Sequence, residues 1–287
     1  MERYDIAVIG AGPAGVSAAI TATIRNKSVV LIGSPKISDK VRKAHRIDNY
    51  PGLPAATGEQ FADALKAHLD SLNIGITEKR VSAVYAMGSF FSLQADEDMI
   101  EANAVILATG VTAGKPLPGE DKFLGRGVSY CATCDARLYA GRPVAVIGYN
   151  AESVKEAEFL SEIVSEVEYF PMTGSAPEER GNLKVIREIP RGITGGLKAS
   201  AVATDAGEHP CDCVFVLRDA VAPDKLVPGL KTEGAHVVVD ISMKTNLPGL
   251  FACGDIAGKP YQYIKAAGQG NIAALSAVEY LDNNKKG

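Results

Sequence analysis

The chain has 287 residues, 46% of them hydrophobic and 22% charged, with a formal net charge of −4. That is enough for two medium domains with proper cores, and the slightly acidic balance gives no drive toward nucleic acid or an anionic membrane. No apolar run reaches the roughly 18–20 residues that span a bilayer, and residues 1–5 lead straight into a strand with no signal peptide, so a cytoplasmic protein is expected.

A buried strand over 4–9 leads into Gly10-Ala11-Gly12-Pro13-Ala14-Gly15, which opens an alanine-rich helix to about Arg25; a second apolar strand follows at 28–32. Together they read as a βαβ unit. Thr57-Gly58-Glu59-Gln60 reads as a capping box ahead of a helix with Phe61, Leu65, His68/Leu69 and Leu72 on one face. Residues 104–108 form another buried strand, ending at Thr109-Gly110. A second βαβ unit starts at Pro143, with a strand over 144–147, a turn over 148–150, a helix over 151–164 and a strand over 167–170. Further apolar strands fall at 214–217 and 250–252. The two starts lie about 138 residues apart, which gives an α/β chain of two Rossmann-like, doubly wound domains.

Gly10-x-Gly12-x-x-Gly15 follows a strand and opens a helix, the setting a dinucleotide turn requires. Gly10 makes the tight turn, Gly12 lets the backbone approach a pyrophosphate, and Gly15 allows close helix–strand packing. By itself the motif does not separate FAD from NAD. The usual acidic residue after the second strand is missing, and Gly33 and Ser34 stand there.

Between the two glycine turns lies Cys131-Ala132-Thr133-Cys134-Asp135. Two thiols separated by two residues can close a small disulfide ring. Five unevenly placed cysteines are not a secreted framework. A zinc site would want a second pair, and Cys211 and Cys213 are poorly spaced for one, so no metal is expected. A Cys-x-x-Cys at a helix start is acidified by helix N–H groups, and a carboxyl beside the second cysteine can shuttle its proton.

The segment from Phe123 through Gly125, Gly127, Ser129 and Tyr130 to Asp135 resembles the active-site segment of low-molecular-weight thioredoxin reductases. The turn Gly10, Ala11, Gly12, Pro13, Ala14, Gly15 resembles that family's FAD turn. Asn49-Tyr50-Pro51-Gly52, Ala108-Thr109-Gly110 and Phe251-Ala252-Cys253-Gly254-Asp255 match it in the same order. The resemblance covers nearly the whole chain. It implies a discontinuous FAD domain, 1–113 and 219–287, interrupted by a smaller NAD(P)-type domain, 114–218, that carries the disulfide. It implies that Cys134 faces the flavin, that Cys131 attacks the protein substrate, and that Asp135 is acid and base for the thiols. Gly33, Ser34, Asn49, Thr109, Gly110, Gly254 and Asp255 become FAD contacts, and the segment 255–265 runs along the flavin with Gln262, Tyr263 and Ile264. Thioredoxin is then the substrate, and a homodimer is expected.

The second turn departs from the pattern. It reads Gly148-Tyr149-Asn150-Ala151-Glu152-Ser153, with Asn150 where NADPH users of the family keep a glycine. A side chain there obstructs the approach of a pyrophosphate. The strand that follows ends in Phe170-Pro171-Met172-Thr173-Gly174, with no cation before Arg180 to grip a 2′-phosphate. Each such charge-assisted bond is worth roughly 1.5–3 kcal/mol. The strand end Val216-Leu217-Arg218-Asp219 also replaces a small-residue turn of that family. In these features, and in Gly258-Lys259-Pro260-Tyr261-Gln262-Tyr263, the chain is similar to the ferredoxin-dependent flavin thioredoxin reductases, which do not use pyridine nucleotides. Reduced ferredoxin is the donor this implies. Lys36, Lys40, Arg42, Lys43, His45 and Arg46 form a candidate cationic patch for it. The competing readings are an NAD(P)H-dependent thioredoxin reductase, a dithiol oxidase and a non-catalytic flavin redox sensor. Cys253 reads as a small buried residue, and Cys211 and Cys213 flank Asp212 at a strand start.

Overall fold

In the computed structural model the description covers residues 3–42, 44–111, 116–218 and 222–284, with the side chains of Asp39, Lys40 and Cys134 outside it. The chain divides into one unit formed by Met1–Val111 with Ala222–Gly287 and another formed by Thr112–Val221. The crossings expected near 113 and 218 border or fall within 112–115 and 219–221, which lie outside the described residues.

The first unit begins with β1 (Tyr4–Ile9), buried over its last four residues as a strand covered on both faces must be. The chain turns at Gly10 and enters α1 (Pro13–Ile24), where Pro13 sits in the first turn and sacrifices no helical hydrogen bond. β2 (Val29–Ile32) returns parallel to β1. After α2 (Asp39–Arg42) comes α3 (Gly58–Ser71), capped by the expected box. Thr57 Oγ1 accepts the Gln60 N–H at 3.2 Å, and Gln60 Oε1 accepts the Thr57 N–H at 2.9 Å. Phe61, Ala62 and Leu69 are the buried face of α3. Then follow β3 (Ile76–Thr77), β4 (Val81–Ala86), β5 (Phe91–Ala95) and β6 (Asp98–Leu107).

β6 changes partners along its length. Its first half is antiparallel to β5, and its second half is parallel to β1 from Ala102 to Leu107. The sheet order is therefore β3-β2-β1-β6-β5-β4.

The inserted unit runs through α4 (Glu120–Phe123), β7 (Val128–Ser129), α5 (Ala132–Asp135) with a 3-10 turn over Ala136–Tyr139, and β8 (Pro143–Gly148). It continues through α6 (Glu152–Ser161), β9 (Glu166–Pro171), β10 (Leu183–Val185), β11 (Pro190–Gly195), β12 (Ala199–Thr204), β13 (Glu208–Pro210) and β14 (Cys213–Leu217). One parallel sheet has the order β10-β9-β8-β14-β7, and β11-β12-β13 form a separate antiparallel sheet. α6 stops three residues short of the expected end. Asn182 Nδ2 donates to the carbonyls of Ser161 at 3.1 Å and Val164 at 2.8 Å, which satisfies the terminal acceptors early.

Back in the first unit, α7 (Pro223–Leu226), β15 (Thr232–Glu233) and β16 (His236–Val237) lead to β17 (Leu250–Ala252), which adds to β6 in parallel. A 3-10 turn over Gly254–Ala257 precedes α8 (Tyr263–Asn284). α8 packs on α1 so closely at Gly270 that a Cβ there would collide with the Ala14 carbonyl. Ile6, Val8, Leu31, Phe61, Leu69, Ile106 and Phe251 anchor the core between the helices and the sheet.

Candidate active site

In an open parallel sheet, ligands bind beyond the carboxyl ends of the strands where the strand order reverses. In the first unit that point lies between β1 and β6. Three candidate segments follow strands that end there: the turn at Gly10 after β1, Thr109-Gly110 after β6, and Gly254-Asp255 after β17. Gly10 has φ +111°, and a Cβ on it would collide with the Ala108 carbonyl. A Cβ on Gly15 would collide with the Gly10 carbonyl. Gly12 differs, because the nearest atom to a Cβ there, in Ser38, lies 4.0 Å away, so the space beside its backbone is open. Gly33 backs onto the Ala11 amide and Gly254 onto the Ala14 methyl, which gathers both around the turn. Thr109 Oγ1 is buried and has no hydrogen-bond partner among the described residues. An open cradle at a helix start and a buried hydroxyl without a partner fit a dinucleotide.

Asn49 Nδ2 donates to Gln262 Oε1 at 2.6 Å, so these two candidates, 213 residues apart, stand together on an exposed edge. Ser34 and Ile264 are exposed, whereas Tyr263 packs against Phe61 with ring centroids 5.5 Å apart. Two residues not singled out from sequence hold the loop after β17. Lys265 Nζ donates to the carbonyls of Gly254, at 2.8 Å, and Gly258. Gln269 Oε1 accepts the Gly254 N–H at 3.0 Å. Burial lowers the Lys265 pKa, against the opposing pull of Asp255 and Cys253.

The same topological position in the second unit lies between β8 and β14. Here the cleft is filled. Asn150 Oδ1 accepts the Ser153 N–H at 2.8 Å, taking a helix-start donor that a phosphate would use. Ser153 Oγ donates to the Asn150 carbonyl at 2.6 Å and meets Tyr169 OH at 2.7 Å. The Arg218 guanidinium lies over the Tyr149 ring, 4.4 Å from its centroid, and forms a two-pronged ion pair with Glu120, with Nη2–Oε2 at 2.9 Å. Glu120 is 1% exposed and Arg218 is 8% exposed. Arg180, the first cation after β9, reaches Glu158 at 3.9 Å. These residues do not fit a pyridine dinucleotide.

Cys131 is disulfide-bonded and buried. Its N–H donates to Ser129 Oγ at 3.1 Å, and that hydroxyl faces the Cys131 carbonyl at 3.1 Å. The Asp135 N–H donates to the same carbonyl at 3.3 Å. The Cys134 side chain lies outside the described set.

Cys211, Cys213 and Cys253 are buried free thiols. Burial pushes Cys211 and Cys253 up to about 12 and Cys213 further still, so none is a thiolate at neutral pH. Burial, with the Cys213 thiol beside it, pushes the Tyr139 phenol up to about 12. Among the described residues no group of three or more His, Cys, Asp or Glu side chains could hold a metal, and no helix is long and apolar enough to cross a membrane.

The cationic segment is partly neutralised. Arg42 pairs with Glu59 and, at 3.2 Å, with Asp63, and Arg46 pairs with Asp48 at 2.7 Å. Lys36, His45 and Arg46 are exposed, while Lys43 and the Lys40 side chain lie outside the described residues.

Two doubly wound units, one with an intact dinucleotide turn and one with a disulfide-bonded cysteine, define a disulfide oxidoreductase. The chain belongs to the pyridine nucleotide-disulphide oxidoreductase family, which it matches over residues 4–175 and 182–270. It is similar to a ferredoxin-flavin thioredoxin reductase from Clostridium acetobutylicum, at 49% identity and TM-score 0.96 over 100% of both chains. A second solved structure so described, from the same organism, has 46% identity and TM-score 0.90 over 99% of both chains. Thioredoxin reductase of Treponema pallidum (strain Nichols) is 30% identical over 97% of each chain.

Proposed function

We propose that the protein is a flavin-dependent thioredoxin-disulfide reductase that takes electrons from reduced ferredoxin and passes them through FAD and the Cys131–Cys134 disulfide to thioredoxin. The observation that carries the choice of donor is the filled cleft of the second unit, where Asn150 caps α6 and Arg218 lies over Tyr149. Side chains that occupy the second turn in this way favour a donor other than a pyridine dinucleotide. Likeness to proteins named for ferredoxin and flavin supports the same reading.

FAD would lie along Gly10, Gly12, Pro13, Ala14 and Gly15, with Gly33, Ser34, Asn49, Thr109, Gly110, Gly254, Asp255, Gln262, Tyr263 and Ile264 as its further contacts. When bound, it supplies the two electrons that open a disulfide. The chain's own residues do the thiol chemistry. The Cys131 thiolate attacks the thioredoxin disulfide and forms a mixed disulfide, Cys134 attacks the Cys131 sulfur to re-form the Cys131–Cys134 bond and release thioredoxin as its dithiol, and Asp135 exchanges the protons. The segment around Lys36, His45 and Arg46 is the docking surface for an acidic donor. The protein works in the cytoplasm, as a homodimer.

Anaerobic mixing of the purified protein with NADPH, NADH or photoreduced ferredoxin tests the donor. Ferredoxin should bleach the flavin and sustain thioredoxin reduction, and neither nucleotide should do so on the same timescale. Fast bleaching by NADPH would sink the ferredoxin reading.

A further inference from the structure

The ion pair that fills the cleft reaches the thiol segment. Glu120 Oε1 accepts the Tyr130 phenol at 3.0 Å, and Tyr130 is the residue immediately before Cys131. Glu120 Oε2 accepts the Leu117 N–H at 2.8 Å and Arg218 Nη2 at 2.9 Å. The carboxylate therefore has donors on both oxygens and no exposure to water that could substitute for them. Burial first, and the Glu120 charge next, drive the Tyr130 phenol far above its ordinary range, so it stays a donor throughout the working range of a thiol enzyme.

On the backbone side, Ser129 Oγ grips both the N–H and the carbonyl of Cys131 at 3.1 Å, from the end of a two-residue strand, β7, laid against β14. Residue 130 thus lies between two anchors. One is the buried Glu120–Arg218 pair, and the other is the Ser129 hydroxyl at the sheet edge.

From this we infer that Tyr130 and Glu120 are positioning residues for Cys131, fixing the direction from which its sulfur meets an attacking or attacked disulfide. Thiol–disulfide exchange needs the three sulfurs nearly in line, and misplacement of a reacting atom by about 1 Å costs on the order of 100-fold in rate. A hydroxyl bonded to an ionised, water-free carboxylate is among the stronger tethers a side chain can offer. The inference rests on the proposed role of Cys131 as the attacking thiol.

Tyr130→Phe removes one hydrogen bond and little else. After dithiol reduction, the rate of Cys131 alkylation by iodoacetamide would be followed against pH in the FAD-loaded enzyme. Thioredoxin turnover and melting temperature would be measured alongside. The expected result is an altered alkylation profile and roughly tenfold slower turnover, with flavin spectrum and melting temperature unchanged. The double variant Glu120→Gln with Arg218→Gln leaves no lone buried charge but exchanges the carboxylate tether for a weaker neutral amide, so it should alter the alkylation profile in the same direction as Tyr130→Phe. Tyr130→Phe with wild-type alkylation and turnover would overturn the inference. So would a loss of turnover matched by a fall in melting temperature, which marks a merely structural bond. Preferential labelling of Cys134 in the wild-type enzyme would instead refute the assignment of the attacking thiol.

Discussion

The three glycines of the first turn are alike in the motif and unlike in what they tolerate. Gly10 and Gly15 are required by the protein itself, since a methyl on either meets a backbone carbonyl. Gly12, at φ −82° and ψ −177°, has a conformation any residue can adopt, and open space beside it. In the proposed reading, its lack of a side chain serves the ligand. Gly12→Ala should therefore fold and melt like the wild-type apoprotein yet lose FAD, read as a colourless preparation whose melting temperature no longer rises when FAD is added. An unchanged FAD affinity would place the pyrophosphate elsewhere. The turn was legible in sequence because its geometry is local. The unpartnered hydroxyl of Thr109 was not, because it depends on what three separate strands bring to one end of a sheet.

The antiparallel strands of the second unit show where sequence patterns fail and what replaces them. β11 reads Pro-Arg-Gly-Ile-Thr-Gly and pairs with β12 through register shifts, so neither composition nor alternation marks it as a strand. β4 is likewise interrupted by a shift between Val81 and Ala83. By contrast, the parallel strands β1, β2, β8 and β14 are short, largely apolar runs bounded by turns, and each was readable. Besides its pairing with β12, β13 is tied to its surroundings by a charged contact. His209 Nδ1 meets Glu168 of β9 at 3.0 Å, and its Nε2 meets Glu188 at 2.8 Å. Burial opposes charge on the ring, but hydrogen bonds to Glu188 and Glu168, with their charges, outweigh it and raise the His209 pKa. A raised pKa stabilises the fold below the unfolded value, about 6.5, and that contribution is lost as pH rises through the folded value. Glu188, held low by Thr204 and then His209, acts in the opposite sense and loses its share only as pH falls through the acidic range. The melting temperature of the wild type should fall more steeply than that of His209→Gln as pH rises above the unfolded value of about 6.5. Parallel curves would dismiss the contact as a pH-sensitive tie.

At the level of the complete chain, the division of labour between the two units decides what can deliver electrons. Sequence alone flagged Asn150 and Arg218 as departures, because both break a local pattern. It could not show that Arg218 finds Glu120, 98 residues away, since nothing around Glu120 marks it as a buried carboxylate. The cationic segment was visible as composition, yet Arg42 proves to be engaged by Glu59 and Asp63. The exposed members, Lys36, His45 and Arg46 (the last beside Asp48), are the ones a donor could reach. Lys36→Glu with Arg46→Glu should slow ferredoxin-driven turnover roughly tenfold at low salt and flatten its salt dependence, while thioredoxin exchange by dithiol-reduced enzyme stays the same. An unaltered ferredoxin rate would move the docking surface elsewhere. The filled cleft also has a competitive consequence. A tethered group occupies its site at an effective concentration of about millimolar or higher, so Arg218 and Asn150 act as resident rivals that no dilution removes. A dinucleotide would have to displace both at once and then bind with no cation between β9 and Arg180 to grip its 2′-phosphate. Reacquiring nicotinamide use would thus require several coordinated replacements, and any one alone would be silent, which makes dependence on a protein donor hard to reverse by single mutational steps.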